Sequence, residues 1–293
     1  MASEQNFQTW ASAPGQTEQA KCDHAVSAVR NAINASNSLR NRKIRVFAQG
    51  SYCNRTNVRQ DSDVDICVLC EESVFFDLPP GKLASDFNVT VPATYSYPQF
   101  NNEVSSALNS YFVNGHVIRG NKAFDIRENT YRLAADAVPC FIYRNFVRDG
   151  ADSGVAFQTG KGQRIVNWPE QNYANGVAKN SSSGLRFKDV TRILKRLRYK
   201  MYEEKLPAAE PIPSFLIECL TYNVPDETLR LETYTAAIRA TLVHLYHGTK
   251  GVQNRANWLE VNERKPLFGG GQAWTYEQVN AFVLAVWSYL GFG

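Results

Sequence analysis

The chain has 293 residues, 44% of them hydrophobic and 20% charged, which is an ordinary composition for one large globular domain or two smaller ones. Its 32 basic and 28 acidic residues leave a formal charge of +4, which suits an anionic substrate but does not require a nucleic-acid partner. No apolar run reaches the length of a membrane span, and the first 20 residues carry no signal-peptide pattern. We therefore expect a cytoplasmic protein without a membrane partner.

Two aspartates open a predicted strand. Residues 44–48 and 64–69 are apolar runs bounded by polar segments, which predicts two strands. Asp63 and Asp65 begin the second run, and because alternate residues of a strand share a face, their carboxylates point the same way and repel each other. Oxygen ligands of this kind suit Mg²⁺, which relieves the repulsion and also binds phosphate oxygens. The alternative is a surface aspartate cluster at a strand end.

Gly50 and Ser51 end the first of these strands. Glycine lets the backbone come close to a ligand, and serine can cap a short helix whose free N–H groups attract phosphate. A phosphate-holding turn followed by a metal-holding carboxylate pair is typical of a nucleotidyltransferase.

A single acid lies within the otherwise apolar run of the predicted strand at residues 131–143. It is Asp136, which stands 136 − 65 = 71 residues after Asp65. A carboxylate is costly in apolar surroundings unless charged partners or a metal receive it. The alternative to a functional role is a core aspartate that accepts hydrogen bonds from backbone N–H groups.

The remaining segments predict strands in the first half of the chain and helices in the second. We predict helices over 18–36 and 103–113, irregular structure over 71–100, a loop or frayed helix after Pro169, and strands over 117–119, 123–127 and within 154–168. Further helices are predicted over 185–204, from 213 to before Pro225, and over 227–247 and 275–290. This order favours two lobes with a cleft between them, which we place at 1–168 and 169–293.

The spacing of Gly50-Ser51 and DSDVDI resembles the polymerase-β-type nucleotidyltransferase superfamily. The fuller string QGSYCNRTNVRQDSDVDI is similar to clade E of the bacterial cGAS/DncV-like nucleotidyltransferases. The likeness extends through ADAVPC, where Ala137 replaces the family's usual Val, through IVNWP with NGVAKN, and through PSFLIECLTYNVP. It implies an α+β fold, with a bilobal polymerase-β-like core whose mixed, twisted sheet is flanked by helices. It also implies an N-terminal helix that spans the lobes and a C-terminal helical lobe that closes the nucleotide cleft.

The same resemblance implies a cyclic dinucleotide synthase that joins two nucleoside triphosphates with release of pyrophosphate, as an alarm in anti-phage defence. Two Mg²⁺ ions, with Mn²⁺ as a possible replacement, are implied as cofactors held by the catalytic residues Asp63, Asp65 and Asp136. The implied triphosphate-binding residues are Gly50, Ser51, Lys195 and Ser214. Lys195 stands in VTRILKRLR at the position of the family's phosphate lysine; the alternative is a solvated lysine on a helix surface.

Asn167 is the implied base-selecting residue, because clade E enzymes with Asn at the IVN position are associated with pyrimidine use. An Asn amide both donates and accepts, so it can pair with a carbonyl and the imide N–H of uracil. We therefore expect UTP and ATP as substrates, and cyclic UMP-AMP or cyclic di-UMP as product. The alternative is that Asn167 caps the strand before Pro169.

Several other functions use the same acids. They include synthesis of a purine cyclic or linear oligonucleotide, modification of an aminoglycoside antibiotic, and nucleotide binding by a catalytically inactive homologue. The basic second half argues against an aminoglycoside pocket, and the presence of all three acids argues against an inactive homologue. Because no zinc insert or long basic tract is present, we expect no stable nucleic-acid partner. We expect a monomer whose cyclic product activates a downstream effector.

Overall fold

The computed structural model describes residues 3–58, 63–89, 94–113, 115–147, 152–251 and 256–293. The chain forms two units. The sheet unit comprises Gly15–Cys53 and Gln60–Pro169, and the helical unit comprises Met1–Pro14, Asn54–Arg59 and Glu170–Gly293. None of the described helices is long and apolar enough to cross a membrane.

The sheet unit contains one seven-stranded sheet and its flanking helices. The elements are α2 (Gln16–Ala35), β1 (Ile44–Ala48), α3 (Gly50–Asn54), β2 (Val64–Asp77), α4 (Tyr97–Tyr111), β3 (Val117–Arg119), β4 (Phe124–Ile126), β5 (Ala135–Asn145), β6 (Asp152–Gln158) and β7 (Arg164–Asn167). The strand order is β1-β2-β5-β4-β3, with β6 paired to β5 and β7 to β6. Only the β2–β5 pair of these strands is parallel. The predicted mixed sheet flanked by helices is therefore confirmed.

One face of this sheet is covered by α4. Tyr97 and Phe100 of α4 pack against Phe141 of β5, and the Tyr97 hydroxyl donates to the Pro139 carbonyl at 2.9 Å. Residues of β5 alternate between faces, so Asp136 points to the opposite side from Pro139 and Phe141. The acids of the sheet therefore lie on the face that α4 leaves uncovered.

The helical unit contains α1 (Glu4–Ala11), α5 (Pro169–Ser182), α6 (Arg186–Glu203), α7 (Ser214–Tyr222), α8 (Asp226–Leu229), α9 (Tyr234–Thr249) and α10 (Tyr276–Leu290). The apolar residues of α6 are buried in a core shared with α7, α9 and α10. A capping box formed by Thr275 and Gln278 begins α10.

The N-terminal segment differs from the prediction of one helix that spans the lobes. It forms two helices, because α1 ends at Ala11 and α2 begins only after Pro14 and Gly15. α1 belongs to the helical unit: the Glu4 carboxylate accepts from the backbone N–H groups of Tyr234 and Thr235, both at 2.8 Å. The structure groups residues 1–14 and 54–59 with the helical unit.

Two other segments differ from the sequence-based expectation. β2 continues to Asp77, because a register shift between Cys70 and Val74 lets it keep pairing with β5. α4 begins at Tyr97, where Ser96 caps the helix and Pro98 occupies its first turn, so that this proline starts a helix rather than marking a loop. The polar segment after Pro169, for which a loop and a frayed helix were both open, is a helix of 14 residues.

Candidate active site

The predicted aspartates lie on two neighbouring strands, and Asp125 of a third strand extends them into a row of four, Asp63, Asp65, Asp136 and Asp125. Asp65 of β2 lies directly opposite Asp136 of β5 in the parallel pair. Asp136 also lies opposite Asp125 of β4. Asp63 precedes β2 by one residue and is exposed, whereas Asp65 and Asp136 are partly buried. The strand register therefore brings the predicted catalytic acids together on one face.

The carboxylates of this row oppose one another's ionisation. Burial, followed by the charge of Asp63, raises the pKa of Asp65 to about 6. The pKa of Asp136 is raised to about 7, with burial as the largest cause and the charges of Asp63, Asp125 and Asp65 as further causes. Burial and the neighbouring carboxylates therefore both favour the protonated forms of Asp65 and Asp136.

The described residues hold no group of three His, Cys, Asp or Glu side chains already gathered as metal ligands. The aspartate row nevertheless fits a divalent cation. Its donors are carboxylate oxygens, which suit Mg²⁺ or Mn²⁺. The pKa values of Asp65 and Asp136 are raised by burial and by repulsion from neighbouring carboxylates, and a bound cation relieves that repulsion. Asp63, Asp65 and Asp136 are the residues that would hold it.

Gly50 begins α3 directly against the carboxylate of Asp65. Its φ of +67° lies in the left-handed region, which favours glycine. A Cβ at this position would collide with Oδ2 of Asp65. The backbone N–H of Gln49 donates to the Asp65 carbonyl at 2.8 Å, which fixes this approach. Ser51 follows in the first turn of α3 and is partly buried, so the structure brings Gly50, Ser51 and Asp65 together.

Asn167 ends β7 and lies farther along the same face of the sheet. It pairs with Val155 of β6, which pairs with Ile142 of β5. Ile142 shares a face with Asp136 but follows it by 142 − 136 = 6 residues, so Asn167 is not beside the aspartates. Among the described residues the Asn167 amide forms no hydrogen bond. The next residue, Trp168, is buried against Tyr143.

Lys195 lies in the middle of α6 and is 1% exposed. Its Nζ donates to Oε2 of Glu218 at 3.0 Å and to Oγ1 of Thr56 at 3.1 Å. A solvated lysine on a helix surface, the alternative to the phosphate lysine, is therefore wrong. The role of Lys195 at the triphosphate remains a prediction.

Ser214 is the first residue of α7, after Pro213, and is partly buried. Glu218 follows one helical turn later, and residues four apart lie on one face of a helix. Because Glu218 pairs with Lys195, the two predicted triphosphate residues of the helical unit lie in the same part of that unit. The predicted site residues therefore form two groups, one within each unit.

Sequence reasoning missed two acids near the predicted site residues. Asp125 stands between the buried residues Phe124 and Ile126. A single acid among apolar residues was also the sequence signal that identified Asp136. Glu218 is the only acid in the apolar segment of α7 and is 3% exposed. In both cases an isolated acid in an apolar element was the available signal.

Comparison with known proteins identifies the family. Residues 174–291 match the cGAS/DncV-like nucleotidyltransferase C-terminal helical domain. The cyclic dipyrimidine nucleotide synthase CdnE of Legionella pneumophila is 42% identical over 295 aligned positions, which cover 98% of this chain and 97% of that protein.

Two solved structures share the fold along their length. The CdnE cyclic dinucleotide synthase of Elizabethkingia meningoseptica, solved with GTP and Apcpp, has a TM-score of 0.84 and 31% identity, covering 99% of this chain and 100% of the other. The Rhodothermus marinus CdnE c-UMP-AMP synthase, solved with Apcpp and Upnpp, has a TM-score of 0.87 and 28% identity, with coverage of 100% and 98%. Likeness of this extent in both sequence and fold means that the chain belongs to the CdnE family of cGAS/DncV-like nucleotidyltransferases and is a cyclic dinucleotide synthase.

Proposed function

We propose that this enzyme makes a uridine-containing cyclic dinucleotide, either cyclic UMP-AMP or cyclic di-UMP, by Mg²⁺-dependent nucleotidyl transfer. UTP and ATP are the proposed substrates. The product serves as the alarm of an anti-phage defence and activates a separate effector. The observation that carries the chemistry is the pairing of Asp65 with Asp136 across β2 and β5, directly against Gly50.

The aspartate row is the proposed catalytic centre. Asp63, Asp65 and Asp136 would hold two Mg²⁺ ions. Bound Mg²⁺ lowers the pKa of a coordinated hydroxyl and neutralises the charge of the leaving pyrophosphate. Asp136 orients the hydroxyl toward the α-phosphate, and in the second round the linear dinucleotide presents its other hydroxyl to the same three aspartates.

Gly50 and Ser51 are proposed to hold the β- and γ-phosphates. Gly50 has no side chain between its backbone and Asp65, and Ser51 offers a hydroxyl and an N–H group in the first turn of α3. Lys195 and Ser214 are proposed to bind the triphosphate as well. Two hydrogens of the Lys195 ammonium are used by Glu218 and Thr56, and we propose that the third binds a phosphate oxygen.

Asn167 is proposed to read uracil. Its amide lies on the aspartate face and forms no hydrogen bond within the described part of the chain, so it can pair with a base. The names of the relatives from Legionella pneumophila and Rhodothermus marinus, a dipyrimidine synthase and a c-UMP-AMP synthase, support a pyrimidine substrate.

The proposal is tested by incubating the purified protein with labelled UTP and ATP, in Mg²⁺ or in excess EDTA, and treating the product with phosphatase. A cyclic dinucleotide has no terminal phosphate, so we expect a phosphatase-resistant product that forms only with the divalent cation. A sensitive product would indicate a linear oligonucleotide. Resistant product formed equally in EDTA would contradict the metal assignment, and absence of any product would contradict the whole proposal.

A further inference from the structure

The residues that follow α3 are held by a buried carboxylate of the helical unit. Thr56 is 0% exposed although it belongs to a polar connecting segment. Nδ2 of Asn54 donates to Oε1 of Glu218 at 2.8 Å, and the hydroxyl of Thr56 donates to Oε2 at 2.6 Å. Both oxygens of Glu218 are therefore engaged by the end of α3 and the residues directly after it.

Lys195 completes this arrangement. Its Nζ donates to Oε2 of Glu218 and also to Oγ1 of Thr56, so that the hydroxyl accepts one hydrogen bond and donates another. Burial acts to raise the pKa of Glu218, but the charge of Lys195 and the three hydrogen bonds outweigh it and hold that pKa below its ordinary value. We call these four residues, Asn54, Thr56, Lys195 and Glu218, the Glu218 cluster.

The backbone beside the cluster is also held. Arg55 lies between Asn54 and Thr56 and has φ of +55°, an unusual conformation for a residue with a side chain. Its carbonyl accepts from Nη1 of Arg192 at 2.6 Å. Since α6 provides both Arg192 and Lys195, the segment after α3 is fixed through its backbone and through its side chains.

We propose that Glu218 is a positioning residue for nucleotidyl transfer: it fixes the C-terminal end of α3, and thereby Gly50 and Ser51, and it holds the Lys195 ammonium in one place. α3 has five residues, so its last residue lies only about 6 Å along the helix axis from its first. A displacement of Asn54 is therefore transmitted to the triphosphate-binding turn. The inference rests on the proposed role of Gly50 and Ser51 at the triphosphate.

The first test replaces Thr56, because its loss leaves the Lys195–Glu218 ion pair intact. Thr56→Val keeps the shape of the side chain and removes the hydroxyl, whereas Thr56→Ser keeps the hydroxyl. We expect Thr56→Val to raise the KM for nucleotide on the order of tenfold, with a smaller change in kcat, since misplacement of a binding group weakens substrate positioning. Thr56→Ser should restore a KM near that of the wild type.

The second test removes the charge of Glu218 and uses a matched control. Glu260 is another buried carboxylate of the helical unit, with amide donors from Asn262 at 2.6 Å and Gln272 at 2.7 Å. Glu218→Gln and Glu260→Gln both remove a buried charge, and thermal unfolding reports the loss of stability in each. Only Glu218→Gln should raise the KM for nucleotide.

Ser51→Ala is assayed in parallel, because it removes a proposed triphosphate-binding hydroxyl and leaves the Glu218 cluster intact. If Ser51→Ala raises KM while Thr56→Val and Glu218→Gln leave it at the wild-type value, Glu218 is structural only and the inference is wrong. An equal rise in KM for Glu260→Gln and Glu218→Gln would also overturn it. If Ser51→Ala itself leaves KM unchanged, the proposed triphosphate site is wrong. Where Glu218→Gln does not fold, the Thr56 pair decides.

Discussion

Asp65 and Asp136 face each other, and among the described residues no cation contributes to their raised pKa values. Replacing Asp63 and Asp65 together by Asn removes two proposed metal ligands. We expect product formation to fall by at least about 100-fold, because metal-ion charge stabilisation contributes several kcal/mol. The fold should persist, as judged by circular dichroism. Asp23→Asn, on the exposed side of α2, is a control that should keep wild-type activity. Near-wild-type activity in the double variant would contradict the assignment.

Asn167 is the residue on which the base preference depends. A site built around a hydrogen bond rejects a base that leaves its polar groups unpaired. Asn167→Ser shortens the side chain and removes the amide, so it should weaken incorporation of UTP and admit purines. Competition among equal ATP, GTP, CTP and UTP, with product analysis for both proteins, measures the change. If both proteins incorporate the four bases in the same proportions, Asn167 is a strand-capping residue and does not select the base.

Helix α6 carries Lys195, the buried cation that pairs with Glu218. Lys195→Ala leaves the Glu218 carboxylate buried without its counter-charge, and breaking such a buried pair costs about 3–5 kcal/mol. We expect a lower unfolding temperature and a higher KM for nucleotide, with the base preference unchanged. Lys200→Ala on the same helix removes an exposed lysine and should change neither. If the rate of Lys195→Ala depends on nucleotide concentration as the wild-type rate does, Lys195 does not bind the triphosphate.

Most elements were predictable from local pattern. The helical period over residues 18–36 predicted α2, and the apolar run from Val64 predicted the start of β2. The continuation of β2 beyond Cys70 was not predictable, because it depends on a register shift against β5. The polar composition of α5 also concealed a helix, since only Gly176 is buried among its described residues.

The part of the candidate site that lies within one short motif was predictable from the sequence. The part that depends on tertiary contacts was not. Gly50 and Asp65 stand in one local string, and the structure brings them into contact. The pairing of Lys195 with Glu218 and Thr56 joins residues from distant parts of the sequence. Periodicity on α6 shows that Lys195 lies near an apolar stripe, but it does not show which carboxylate neutralises the charge.

The aspartate row makes the free energy of unfolding of the whole molecule depend on pH. The pKa values of Asp65 and Asp136 are raised to about 6 and about 7, whereas in the unfolded chain they are about 4. The folded state therefore binds these protons more tightly, and stability from this source falls as pH rises from about 4 through about 7.

Thermal unfolding in EDTA, at about pH 5.5 and about pH 8, measures this dependence. Asp65→Asn removes one titrating group and part of the repulsion on Asp136, so the variant should be stabilised relative to wild type at the higher pH and much less at the lower. At the higher pH, Mg²⁺ should reduce the difference in unfolding temperature between the variant and the wild type, because it stabilises only the wild type. Equal unfolding temperatures of the two proteins at both pH values would show that the carboxylates do not repel each other in the folded state.

The proposed product of this chain is a uridine-containing cyclic dinucleotide made at the aspartate row. It can be identified by mass spectrometry of the phosphatase-resistant product formed from an equal mixture of the four nucleoside triphosphates with Mg²⁺. We expect the mass of cyclic UMP-AMP or cyclic di-UMP, and loss of that product with Asp63→Asn/Asp65→Asn. A resistant product that contains only purines, or the same uridine-containing product from the double variant, would contradict it.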